Sequence, residues 1–318
     1  MRILRIVMQG EEHPHYTITK AFHDGFGGEG FVYTIFWDKY EDRLVLNSEV
    51  IKIAEKVKPD VVFMQLQQHG VLFKEIVEKL SKNSLVLNWT GDVRKSLEDY
   101  IYIAPYVVTL FTNTTDVESM RTLGYDSEYL QTGYDHNVYK NIHWARTNGM
   151  ISFCANNYKM DFPLTEYREE VARSLMSSYS SNFRLHGGNW SELGAYYKGV
   201  VPISNTEEHG LYSQSEIAIS VSHFNYGRYF SDRLLREMAS GVLVLSHRYQ
   251  DCDLDFVDGR HLVFFDNTID LLEKCNYYIQ NKHLARVIGE QGAEYVEANF
   301  KWSNFIENLI HIIKKHTK

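Results

Sequence analysis

Residues 230–246, FSDRLLREMASGVLVLS, place a guanidinium, Arg233, just after Ser231 and Asp232, both of types that cap helices. Leu234, Leu235 and Met238 then recur at helical spacing, and Ala239, Ser240 and Gly241 are the small residues at which a helix ends and turns. The apolar run 242–245 follows as a buried strand. A helix N-terminus offers free N–H groups and the positive end of the macrodipole, and a first-turn arginine adds a bidentate donor. Such a set suits a phosphate group, with Ser231 as a further hydroxyl partner. Arg228, in the Gly-containing loop before it, is a second cation for the same anion.

Other polar clusters follow short apolar runs. NWTGDVR at 88–94 offers Asp92 as a base, and Arg94 beside it would keep the carboxylate ionised or simply pair with it. QLQQHG at 65–70 offers His69, and the segment after the first apolar run offers His13 and His15. Imidazoles suit proton transfer near neutrality, so His15 and His69 rival Asp92. Asn156 and Asn157 are polar contacts or turn formers. In HGGNW, 186–190, Gly187 and Gly188 allow a ligand close to the backbone, or a tight turn around Trp190.

Positioning these residues requires an α/β chain. Apolar, β-branched runs at 3–8, 32–37, 60–64, 85–87, 107–111, 150–155, 183–185, 242–245 and 261–265 read as strands of parallel sheets. Amphipathic segments at 47–57, 72–80, 165–179, 268–280, 283–299 and 303–315 read as helices, and 210–221 as a helix–strand step. A further helix is capped by Thr114, Thr115 or Asp116 and stops at Gly124, while 9–30 reads as a polar, Gly-rich loop. In doubly wound sheets the loops at strand C-terminal ends face the ligand crevice. That rule gathers His15, His69, Asp92, Asn156, Gly187 and Gly188 at ligand-facing edges.

The 318 residues suffice for two domains, and 44% hydrophobic with 23% charged content indicates globular folding. A formal net charge of −8 disfavours non-specific nucleic-acid binding. Cys154, Cys252 and Cys275 are few and scattered, which suits a reducing cytoplasm. No apolar run approaches the ~18 residues of a membrane span, and the first residues lack a signal-peptide pattern. No G-x-G-x-x-G follows the first strand, which disfavours a dinucleotide cofactor. The H-P-H cluster lacks a zinc spacing.

Residues 231–245 resemble the donor-site segment of GT-B glycosyltransferases, especially the CgeB-like and group 1 families. There an S-x-R or E-x-x-x-x-x-x-x-E segment leads into an "E-A-M-A-x-G-x-P-V-L" helix and strand. Ser231, Arg233, Met238, Ala239, Gly241, Val244 and Leu245 fit. The family glutamate that grips the donor ribose is replaced by Arg236; Glu237 lies one position on, turned by about 100°. YLQTGYDHNVY at 129–139 is similar to the connector between the two GT-B domains, and residues 300–302 to the step before a terminal helix that crosses back.

The resemblance implies two Rossmann-like domains facing a cleft: 1–143 on the acceptor side and 144–318 on the donor side, divided near 140–148. It implies transfer of a sugar from a nucleotide-diphosphate donor, most commonly a UDP-sugar, to an acceptor hydroxyl. No cofactor beyond the co-substrate and no bound metal are expected. D-C-D-L-D at 251–255 resembles the metal-binding D-x-D of the GT-A fold, but it follows a second-domain strand and reads as a solvated acidic loop. Donor-binding residues are then Arg233, Ser231, Arg228, Asn156, Gly187, Gly188 and Glu237, and the base is Asp92, His15 or His69. The acceptor stays open among glycan, protein, small molecule and modified nucleobase. Arg236 also keeps open a catalytically silent module of this fold that binds a nucleotide sugar or glycan.

Overall fold

The computed structural model describes residues 1–8, 16–28, 30–142, 149–158, 162–190, 193 and 205–317. His13, His15 and positions 143–148 of the expected division lie outside the described residues. The chain forms two compact units, Met1–Gly133 with Trp302–Lys318, and Tyr134–Lys301. No helix of the described residues is long and apolar enough to cross a membrane.

The first unit runs β1 (Ile3–Val7), α1 (Tyr16–Gly25), β2 (Val32–Phe36), α2 (Arg43–Val57), β3 (Val61–Met64), α3 (Lys74–Ser81), β4 (Leu85–Thr90), α4 (Glu98–Ile101), β5 (Val108–Phe111), α5 (Thr114–Thr122) and β6 (Ser127–Tyr129). Its six strands pair in parallel in the order β2-β1-β3-β4-β5-β6. Helix α1 replaces part of the loop expected at 9–30. Its Ile18 and Phe22, with Phe26 just beyond, recur every fourth residue and join a core with Phe305, Ile306 and Leu309 of the C-terminal helix (Trp302–His316). Helix α2 starts earlier than expected because the Asp42 side chain accepts from Leu44 N at 2.7 Å. The cap of α5 is Asn113, whose side chain accepts from Asp116 N at 2.7 Å, not Thr114, Thr115 or Asp116.

The second unit runs β7 (Ile151–Cys154), α6 (Thr165–Tyr179), β8 (Phe183–His186), α7 (Asn205–Gln214), β9 (Ile217–Ser220), α8 (Asp232–Ala239), β10 (Leu243–His247), β11 (Val263–Phe265), α9 (Thr268–Gln280) and α10 (Lys282–Asn299). Its parallel sheet has the order β11-β10-β9-β7-β8. The chain therefore leaves β7 to one side for β8, then returns to its other side for β9. Such a reversal opens a crevice at the C-terminal ends of the two strands. Here β7 and β9 pair only at Ile151↔Ile217 and Ser152↔Ala218. Beyond those positions the ladder between them ends.

The turn from α8 to β10 is held close by α10. A Cβ on Gly289 would lie 2.4 Å from Gly241 O, so this helix can approach the turn only through glycine. Gly241 has φ +74°, the left-handed conformation that ends a helix abruptly.

Candidate functional site

Helix α8 begins at the open end of β9, with Ser231 as its N-cap in extended conformation. The Ser231 side chain makes no capping bond, and its Oγ is buried without a hydrogen-bond partner. Arg233 lies in the first turn, its side chain 13% exposed. Its Nη2 donates to Val221 O at 3.1 Å, and its Nε stands 3.6 Å from Glu237 Oε1, too far for a hydrogen bond. Glu237 is wholly buried, and Arg233, the Ser220 hydroxyl and Arg236 are the groups that favour its charged form. Burial pushes its carboxyl up to about 8, against the pull of the Arg233 guanidinium. At neutral pH it is mostly uncharged, and it neutralises little of the arginine's charge.

Sequence reasoning missed a second guanidinium. Arg168, in the first turn of α6, donates through Nη1 to Val221 O and through Nη2 to Asn156 O at 2.9 Å. Two arginines thus converge on one carbonyl at the switch point. The clue was local: Arg168 continues the buried stripe Val171, Ala172 and Leu175 of α6, where an apolar residue is the rule. His223, also missed, packs its ring against Tyr158 at 4.9 Å and Phe162 at 4.8 Å between centroids. Burial and the charges of Arg168 and Arg233 push its pKa down to about 2, so it is neutral, and its Nδ1 is buried without a partner.

The loop after β8 meets the loop after β7 through backbone. Gly187 has φ +142°, and a Cβ there would fall 1.6 Å from Ala155 O, so glycine is required. Gly188 N donates to Asn156 Oδ1 at 2.9 Å, and Gly188 O accepts from Asn157 N at 3.0 Å. Trp190 Nε1 donates to Ala155 O at 2.5 Å. HGGNW is thus a tight turn around a buried tryptophan, set beside Asn156.

Other charges are committed to the protein. Arg228, at φ +56°, donates through Nε and Nη2 to Asp255 Oδ1 at 3.0 and 2.7 Å. That contact engages the last carboxylate of D-C-D-L-D, and no group of three or more His, Cys, Asp or Glu among the described residues is arranged to hold a metal ion. Arg236, standing where the family has glutamate, donates through Nη1 to Glu208 Oε2 at 2.8 Å. Glu208 also accepts from Tyr139 Oη at 2.5 Å and Tyr212 Oη at 2.8 Å, making a buried network around the arginine.

In the first unit, the expected bases stand on neighbouring strand-end loops. Asn88 joins those loops, donating to Leu66 O at 3.1 Å and accepting from Leu66 N at 2.9 Å. Arg94 donates to Gln67 Oε1 at 2.7 Å across the same pair. Asp92 is exposed in the loop after β4. His69 is exposed after β3, its backbone N donating to Asp99 Oδ1 at 3.1 Å and its ring 4.1 Å from that of Tyr102.

Residues 168–311 match the family model described as Glycosyl transferase-like. An uncharacterized glycosyltransferase of Methanocaldococcus jannaschii is 24% identical over 130 residues, a match spanning 40% of this chain and 32% of that protein. Over 99% of this chain and the whole of that one, the fold is similar to Anabaena HepE in complex with UDP, with a TM-score of 0.67 and 11% identity. A glycosyltransferase of Rickettsia africae gives a TM-score of 0.69 at 12% identity, covering 100% of this chain and 99% of that one. The chain has the α/β GT-B glycosyltransferase fold, and the residues that match the Glycosyl transferase-like model run from α6 into the C-terminal helix.

Proposed function

We propose that this protein moves a sugar from a nucleotide-diphosphate donor, a UDP-sugar, to an acceptor hydroxyl. The observation that carries this reading is the meeting of Arg168 and Arg233 at Val221 O, beside the N-terminus of α8 and a neutral Glu237. Positive charge collected at a sheet switch point suits a diphosphate, whose charge grows as the sugar departs. Arg233 and the helix N-terminus take that charge in place of a bound metal. Ser231 and Asn156 supply polar contacts, and the Gly187–Gly188 backbone admits the donor closely. The HepE complex contains UDP, which supports uridine as the nucleoside. For a reaction that inverts, the base that accepts the acceptor's proton is Asp92, His15 or His69. Three buried, free cysteines suit a reducing cytoplasm, where we place the reaction.

The test is a thermal-shift series with UDP and UDP-sugars on the wild type and Arg233→Ala, followed by assay of UDP release. Ligand at 100 times its dissociation constant adds about 2.7 kcal/mol, about 5–10 °C for a unit of this size. Loss of one charge-assisted contact in the variant weakens UDP roughly 10- to 150-fold. Absence of a shift with UDP and with every UDP-sugar sinks the reading. Binding without UDP release, to water or to any acceptor, selects the silent module.

A further inference from the structure

Arg168 is 1% exposed, and its hydrogen bonds run to main-chain carbonyls on either side of the switch point: Asn156 after β7 and Val221 after β9. No carboxylate of the described residues forms an ion pair with it. A guanidinium taken out of water is costly, and burial lowers its pKa accordingly. Arg5, also buried without a carboxylate partner among the described residues, sits in mid-strand over the Phe22 ring at 4.3 Å, near the Thr19 and Thr34 hydroxyls. Arg168 instead bridges the gap where β7 and β9 have stopped pairing, and Val221 O, its second acceptor, also receives Arg233.

We propose that Arg168 is a positioning residue for the donor diphosphate, clamping the two strand-end loops and fixing Arg233 through their shared carbonyl. The inference rests on the reading of the second unit as a nucleotide-diphosphate site. Arg168 does not itself touch the ligand; it sets where Arg233 stands and adds positive potential behind it. A residue that merely bolts the fold would lower stability and leave the anion affinity of the folded protein unchanged.

The experiment titrates UDP and, separately, inorganic pyrophosphate into wild type, Arg168→Met and Arg168→Lys by calorimetry, with the unliganded Tm of each. Methionine fills much of the space without charge; lysine keeps the charge but cannot span both carbonyls. The expected result is about tenfold weaker binding of both anions in Arg168→Met and a smaller loss in Arg168→Lys, with each Tm within a few degrees of wild type. If Arg168→Met does not fold, Arg168→Lys decides alone. Unchanged affinities, or a large fall in Tm with unchanged affinities, overturn the proposal. Pyrophosphate binding that depends on Arg168, without UDP binding, keeps the clamp and removes the nucleotide reading. A wild type that binds neither removes both.

Discussion

Glu237 sets two effects against each other, and its titration shows which one wins. Its carboxyl is wholly buried, which disfavours the charged form, while Arg233 Nε at 3.6 Å favours it. Burial prevails, raising the pKa from 4.5 to about 8. The folded protein then keeps a proton that the unfolded chain releases near 4.5, so stability falls as pH rises between those values. At about 1.4 kcal/mol per pH unit the full loss is on the order of 5 kcal/mol. Glu237→Gln preserves the shape and abolishes the titration. Urea unfolding of both proteins from about pH 5 to about pH 8 is expected to show the variant gaining on wild type by about 1 kcal/mol per pH unit. Under the proposed function UDP affinity is expected to follow the same proton: above pH 8 the ionised Glu237 competes for Arg233, and calorimetry should show wild type losing affinity that the variant retains. A stability difference that stays flat across this range refutes the reasoning, because the ion pair would then outweigh burial.

Gly187→Ala forces a Cβ to within 1.6 Å of Ala155 O, and urea unfolding is expected to show a loss of about 3 kcal/mol or more. Arg228→Ala leaves Asp255, whose side chain is 1% exposed, without its guanidinium. The expected cost is about 3 kcal/mol, and adding Asp255→Asn should recover part of it in a double-mutant cycle. Asp92→Asn is expected to lower kcat by about 100-fold or more while leaving the calorimetric UDP affinity intact. An unchanged kcat would move the base to His69, where His69→Gln repeats the measurement.

Features that depend on nearby backbone were legible in the chain. Helices α6 and α9 occupy 165–179 and 268–280 as expected, because periodicity and end residues act within a few positions. Arg233 in the first turn and the turn at Gly241 are equally local, and of the two expected caps, Ser231 and Asp232, the structure has Ser231. Helix α1 was missed although Ile18, Phe22 and Phe26 recur every fourth residue; only their burial partners, Phe305, Ile306 and Leu309 at the far end of the chain, lay beyond local reading. The partners of Arg168, Arg228 and Arg236 escaped because Val221 O, Asp255 and Glu208 arrive from separate segments. The sequence by itself determined the alternating α/β plan and the helix start that suits a phosphate. Tertiary structure alone decided the charge state of the site, two guanidiniums on one carbonyl beside a neutral carboxyl, because desolvation belongs to the packed chain and not to any one stretch of it.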